Sequence, residues 1–133
     1  DPGSTTCYAI DSYPEVHVTE YGSVAGEENI MAEIYARGPV SCYIDANCIE
    51  DYTGGVADYS ECGLLTNHAI QINGWGTDEE GTPYWIGRNS WGTYWGELGW
   101  FKIRRGHNDC QIESACSWAV PEHTWETQWK GKF

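Results

Sequence analysis

The stretch from Asn67 to Arg105 constrains this chain more than any other. It reads NHAIQINGWG, then a short polar loop, TDEEGTP, then YWIGRNSWGTYWGELGWFKIRR. Two apolar runs with strand character flank a turn, which is the pattern of a β-hairpin. His68 opens the first run, and Asn89 closes the second inside Arg88-Asn89-Ser90-Trp91-Gly92. The start of one hairpin strand and the end of the next share its open end. The pattern therefore brings His68 and Asn89 together although they are far apart in sequence. A histidine oriented by a side-chain amide is half of a nucleophilic apparatus, and the other half is the nucleophile itself.

The rest of the composition narrows the context. The chain has 133 residues, 41% hydrophobic and 14% aromatic, which suits one domain with a modest core and argues against disorder. Five of its eight Trp fall between Trp75 and Trp100, as expected of a packed or binding surface. A formal net charge of −13 at pH 7 disfavours nucleic acid as a partner, because phosphate binding needs basic surface. The acidity fits an acidic compartment and fits equally a surface that is merely soluble. No apolar run is long enough to span a bilayer, so no membrane partner is expected. The chain opens on Asp1-Pro2-Gly3-Ser4 with no leader-like segment. The expectation is a fragment whose upstream sequence was removed or lies on another chain.

Six cysteines are present: Cys7, Cys42, Cys48, Cys62, Cys110 and Cys116. None forms a CxxC pair with metal-ligand spacing, so no metal site is expected. An even count in a small acidic domain points to disulfides and an oxidising compartment. Gly54-Gly55, Gly74, Gly92 and Gly96 lack the spacing and following helix of a phosphate loop and read as turn and close-packing glycines. Nothing in the sequence calls for a cofactor.

Cys7-Tyr-Ala-Ile and Val16-His-Val-Thr alternate as short strands, and Gly22 to Gly26 reads as a loop with Ser23 a candidate helix cap. Glu27 to Arg37 is the one clear helix, with Ile30, Met31, Ile34 and Tyr35 predicted to form its buried stripe. Glu27 and Glu28 in the first turn and Arg37 in the last suit the helix dipole, and Gly38-Pro39 ends it. Val40 to Asp45 reads as a strand, Asp51 to Gly55 as a turn and Trp118 to Pro121 as a last strand. One helix of about 27–37 and five to seven short strands predict an α+β fold with a mostly antiparallel, barrel-like sheet. The domain is expected over 1–120, with a polar tail over 121–133.

These residues also resemble a known family. Asn67-His68-Ala69 before Gly74-Trp75-Gly76, followed by Arg88-Asn89-Ser90-Trp91-Gly92-Thr93-Tyr94-Trp95-Gly96, is similar to the His and Asn blocks of papain-like cysteine peptidases. Glu33 to Cys42 and Asp51 to Val56 resemble that family's helix, first barrel strand and following turn. Cys7-Tyr-Ala-Ile, Gly22-Ser23, Met31 to Ala36 and Tyr52-Thr-Gly-Gly lean toward its cathepsin X, or Z, branch. The resemblance implies the right-hand, β-barrel half of a two-part fold whose active site lies in the cleft between halves. The helical left half of that family carries the nucleophilic cysteine in a CG-S/T-CW-type segment. No cysteine here is followed by Trp or preceded by a Cys-Gly pair, so the implied partner is a left half on an upstream segment or separate chain.

By this resemblance His68 is the imidazole that activates the thiol and Asn89 the amide that orients it. Trp91 covers their hydrogen bond, and Trp95 either joins it on the leaving-group side of the cleft or is a core or lid aromatic. Asn67 and Ala69 edge the substrate pocket. A large exposed apolar face is expected around His68, Asn89, Trp91 and Trp95, where the left half docks. His17, His107 and His123 lack such a context and are expected at the surface. The implied disulfides are Cys62–Cys110 and Cys42–Cys116. Cys7 and Cys48 would pair with each other, or Cys7 with the other half. The implied substrate is a peptide or protein, the implied action a carboxypeptidase-like hydrolysis, and the implied location a lysosome, another acidic vesicle or the exterior. The competing reading is a non-catalytic binding or structural module on the same fold.

Overall fold

The computed structural model describes residues 16–62 and 65–122. The predicted Cys7–Ile10 strand, Cys7 itself, His123 and most of the tail lie outside the described residues. Among the described residues the chain forms one α-helix and seven strands. In order these are β1 (Val18–Val24), α1 (Glu27–Arg37), β2 (Val40–Ile44), β3 (Val56–Ala57), β4 (His68–Thr77), β5 (Pro83–Arg88), β6 (Trp100–Arg104) and β7 (Cys116–Pro121). The strands make one sheet in the order β1-β7-β2-β4-β5-β6-β3. Every pairing is antiparallel except β3 with β6. The α+β class and antiparallel character match the sequence pattern. The sheet is open, with β1 and β3 as its two edges, rather than a closed barrel.

Alternation along the strands places the core. In β2, Val40, Cys42 and Ile44 are buried while Ser41 and Tyr43 face out. Phe101 and Ile103 of β6, Ile70 and Ile72 of β4, and Trp85 of β5 join them. The helix packs Ile30 and Ile34 onto the same face.

The helical register differs from the predicted stripe: Tyr35 is exposed and Glu33 is buried. Glu33 receives a bidentate hydrogen bond from Arg37, from Nε at 2.6 Å and Nη2 at 2.8 Å. The Arg37 guanidinium in turn stacks 4.0 Å over the Trp118 ring. A charged pair with an aromatic lid therefore occupies part of the face that apolar spacing assigned to Tyr35.

Two other boundaries move. The segment predicted as a loop at Gly22 continues as strand, because Gly22, Ser23 and Val24 pair with Trp118, Ser117 and Cys116. A Cβ on Gly22 would meet the Trp118 ring at 2.9 Å, so the glycine permits that close approach. Ser23 is accordingly a strand residue, and Gly26 precedes the helix. The second apolar run is two strands, not one. β5 ends at Arg88, the chain loops through Asn89–Gly99, and β6 returns antiparallel to β5. Gly96 allows that reversal: its φ is +56°, and a Cβ there would lie 2.6 Å from the Trp100 carbonyl oxygen.

The polar loop between β4 and β5 is organised by Asp78. Its carboxylate accepts from the Glu80 N–H at 3.0 Å and the Thr82 N–H at 2.7 Å. This closes the hairpin at the far end from His68.

Candidate active site

β4 and β5 set the site. Gln71 pairs with Arg88, so His68 at the start of β4 and Asn89 just beyond β5 converge at the open end. The Asn89 N–H donates to the Gly99 carbonyl at 2.9 Å, which pins the neck of the 89–99 loop. On the other side of His68, β2 pairs Ile44 with it directly. The Asn67 N–H donates to the Ile44 carbonyl at 2.9 Å.

His68 Nε2 lies 2.9 Å from Asn89 Oδ1. The Ser90 backbone N–H donates to the same oxygen at 2.8 Å. Two donors converging on one atom identify it as the amide oxygen, so the imidazole carries its proton on Nε2. Nδ1 is then the ring nitrogen left for a reacting group. The Trp91 ring stacks on the imidazole, with centroids 5.0 Å apart and planes 29° from parallel. His68 and Trp91 are half-buried, whereas Asn89 is only 7% exposed. The hydrogen bond therefore sits in a low-dielectric corner, where it is stronger than in water.

Trp95 does not line the cleft. It belongs to the core, 7% exposed, with its ring edge-on to Trp91 at 5.3 Å and to Phe101 at 5.9 Å. It also contacts Tyr52 at 5.6 Å, and its Nε1 donates to the Glu50 carbonyl at 3.2 Å. Its role is to hold Trp91 from behind. Asn67 is exposed, and its side-chain oxygen accepts from the Ala46 N–H at 2.8 Å, which ties the turn after β2. Ala69 is exposed opposite Tyr43 on the outer face of the sheet, where a pocket edge can form. The expected broad apolar face around four residues thus contracts to His68 and Trp91, because Asn89 and Trp95 are buried. His17 and His107 are exposed.

A neighbouring groove of about 770 Å³ runs past the site, lined by Gln71, Asn73, Arg88, Asn89, Ser90 and Trp100 among others. Asn89 Nδ2 and Asn73 Oδ1 are buried and find no hydrogen-bond partner among the described residues. Sequence inspection did not single out Asn73 or Gln71. The alternation that turns Ile70 and Ile72 inward is the signal that places both on the opposite face.

The cysteines differ in part from expectation. Cys42 and Cys116 are joined, and they sit opposite each other on β2 and β7. Cys62, however, is bonded to Cys48 and not to Cys110, which is free and buried. Cys48 ends a 3-10 turn over Ala46–Cys48, and Cys110 lies in another over Asp109–Gln111. The fold brings all three sulfurs together, and only two can bond, so chain spacing alone does not choose the pair. Burial, followed by the negative charges of Asp109 and Asp45, pushes the Cys110 thiol up to about 12. Such a thiol is essentially never a thiolate near neutrality and is unfit as a nucleophile.

Comparisons with known proteins bear on the family and the fold. The family model described as "Papain family cysteine protease" matches residues 3–120. Cathepsin Z of Onchocerca volvulus is 45% identical over 133 residues, covering 90% of this chain and 41% of that protein. A gut-specific cysteine proteinase of Caenorhabditis elegans is 46% identical over 116 residues, covering 85% of this chain and 34% of the relative. Among solved structures, the bromelain protease of Ananas comosus in complex with the E64 inhibitor superposes with a TM-score of 0.72 at 32% identity. That match covers 78% of this chain and 51% of the bromelain chain. The chain therefore spans less than half the length of these two sequence relatives.

Proposed function

The chain belongs to the papain family of cysteine proteases, and from that membership we propose that it is the histidine- and asparagine-bearing half of a peptide-bond hydrolase. The nucleophilic cysteine is supplied by a helical half on an upstream segment or a separate chain. The observation that carries this reading is the His68 Nε2–Asn89 Oδ1 bond beneath Trp91. With Nε2 committed to the amide, Nδ1 is available to an incoming thiol.

The chemistry follows from that arrangement. The imidazole takes the thiol proton, giving a thiolate–imidazolium pair. The thiolate attacks the peptide carbonyl, and imidazolium protonates the departing amine to leave an acyl-enzyme. The neutral imidazole then deprotonates a water that hydrolyses the thioester. Asn89 keeps the ring in one tautomer and orientation throughout. A neutral amide suits this role, since a carboxylate would compete with the thiolate for the imidazolium.

Two features support a docking half. Among the described residues the one free cysteine is buried with its thiol raised to about 12, so none of them provides a thiolate for His68. A buried donor without an acceptor costs about 1–3 kcal/mol, and Asn89 Nδ2 beside the open groove is such a donor. A partner surface that brings an acceptor there relieves the cost. Similarity to cathepsin Z favours cathepsin X-like carboxypeptidase action, and the disulfides favour an acidic vesicle or the exterior.

The test is to read the coding sequence upstream of Asp1 and express the longer chain. A CG-S/T-CW segment there, with hydrolysis of a small peptide substrate that His68→Ala abolishes, is the expected result. A longer chain without such a segment, binding peptides but not cleaving them, would instead establish the non-catalytic module.

A further inference from the structure

We propose that Cys48, Cys62 and Cys110 form one three-sulfur exchange site, in which a single disulfide moves between Cys48–Cys62 and Cys62–Cys110. The three sulfurs all lie within 4.8 Å of one another. That is close enough for a thiolate to reach a neighbouring disulfide by side-chain rotation. The step balances without an external reagent: Cys110 loses its proton to solvent, its thiolate bonds to Cys62 Sγ, the Cys48–Cys62 bond breaks, and Cys48 leaves as thiolate and is protonated.

The backbone around the three sulfurs is held by bonds that involve none of them. The Cys62 N–H donates to the Tyr59 carbonyl at 3.0 Å. The Tyr59 N–H donates to Asp109 Oδ2, also at 3.0 Å. The Asp45 N–H donates to the Cys110 carbonyl at 2.9 Å, and Asp45 Oδ1 caps the turn carrying Cys48 by accepting from the Asn47 N–H at 3.1 Å. Arg104 locks Asp109 with two hydrogen bonds of 3.0 Å. These ties survive either pairing, so exchange leaves the fold intact. Cys62 also lines an open surface pocket with Asp58, Tyr59, Ser60 and Glu61, whereas Cys110 is buried. The exchange therefore moves the free thiol from the interior at Cys110 to the half-buried Cys48.

The charged and titratable groups at the cluster set the rate. Asp109 and Asp45 oppose formation of the Cys110 thiolate, Tyr59 stands beside it as a neutral phenol, and Arg104 is committed to Asp109 and Asp58. Attack requires the thiolate, so the rate should rise about tenfold per pH unit across the neutral range. A pairing reached at neutral pH is thereby frozen in an acidic compartment.

The test uses the full chain carrying Cys7→Ser, so that one thiol remains outside the two disulfides. The protein is incubated at mildly alkaline pH without added thiol, quenched with acid, unfolded, alkylated and mapped by mass spectrometry. The expected result is alkylation divided between Cys110 and Cys48, with approach to that ratio accelerating about tenfold per pH unit. Adding Cys48→Ser should yield a Cys62–Cys110 bridge after oxidative refolding. Alkylation confined to Cys110 after prolonged alkaline incubation would overturn the proposal, as would alkylation of Cys62. If the Cys48→Ser protein fails to fold, the mapping of the parent protein still decides.

Discussion

Two corners of this molecule are built on opposite principles. The His68 corner is aromatic and tightly specified by local chain geometry. One hairpin register, one bulky indole and one amide define it, and Trp91, Trp95, Tyr52 and Phe101 brace it in sequence of contact. The Cys110 corner is polar and sulfurous, and segments distant in sequence converge on it. There Glu113 accepts from Trp85 Nε1 at 2.9 Å, from Gly106 N–H at 2.7 Å and from Asn108 N–H at 3.2 Å. Asp109 joins Arg104 and the Tyr59 backbone. The first corner leaves a buried amide donor unmatched. The second matches its buried carboxylates with donors and keeps its ambiguity in the sulfurs. On the proposed function, the unmatched amide marks the corner where a second half docks.

The largest effect should fall in the first corner and on activity alone. In the assembled enzyme His68→Ala removes both the thiol's base and the proton donor, and kcat should drop by about 10²–10⁴-fold. The melting temperature should change little, because the ring is only half-buried at the start of β4. A melting temperature that fell along with kcat would break the proposed separation of the two corners.

Next in size is a pure stability effect. The Cys42–Cys116 bridge spans a sequence separation of 74, and its loss should cost about 4 kcal/mol on the chain-entropy account. The Cys48–Cys62 bridge spans only 14 and should matter less, about 3 kcal/mol before any rescue by Cys110. Urea unfolding of paired Cys→Ala variants measures both. Equal losses would show that loop length does not govern them.

A smaller effect tests how the first corner works. Asn89→Ala should lower kcat/KM by about ten- to a hundred-fold, since one orienting hydrogen bond is worth about 1–3 kcal/mol. Trp91→Ala acts on the same bond by admitting water, so the double variant should lose less than the sum of the singles. Full additivity would mean that Trp91 works through substrate contact instead.

The smallest effect is alkaline. Burial is the main cause that pushes Tyr52 up to about 12, with smaller contributions from the Glu97 and Tyr59 charges, and its hydroxyl donates to the Gly55 carbonyl at 2.7 Å. Its folded pKa is raised above the usual 10 of an unfolded chain. The native state therefore holds a proton that the unfolded state releases, and stability should decline as pH rises from about 10 to 12. Cys110 adds to the decline from its own ordinary value of 9 upward. Tyr52→Phe should flatten the upper part of this decline in thermal melts. It should also cost about 1 kcal/mol at neutral pH, because the Lys102 N–H loses the acceptor it finds at 3.1 Å.

What the sequence made legible follows the same division. The hairpin, the helix and the meeting of His68 with Asn89 rest on local periodicity and on register, both of which are written along the chain. Trp95 was left between cleft and core because an aromatic beside a site residue reads the same whether it faces the cleft or props its neighbour from the core; its burial selects the core. Tyr35 and Glu33 exchanged burial because Arg37, one helical turn on, pairs with the carboxylate and Trp118, distant in sequence, covers the pair. The Cys48–Cys62 pairing depends on three segments meeting in space, which spacing cannot rank. The reversal at Asn89–Gly99 was signalled by Gly92, Gly96 and Gly99, but the continuous apolar content of the run concealed it.

On the proposed function, His68 is oriented for a thiolate that none of the described residues provides. The most direct measurement is the intact mass of the purified 133-residue chain after incubation at mildly acidic pH with a peptidyl epoxide that alkylates activated cysteines. The expected result is an unmodified mass and no hydrolysis of a peptide substrate. A single adduct on one cysteine, with peptide hydrolysis that the adduct abolishes, would contradict it.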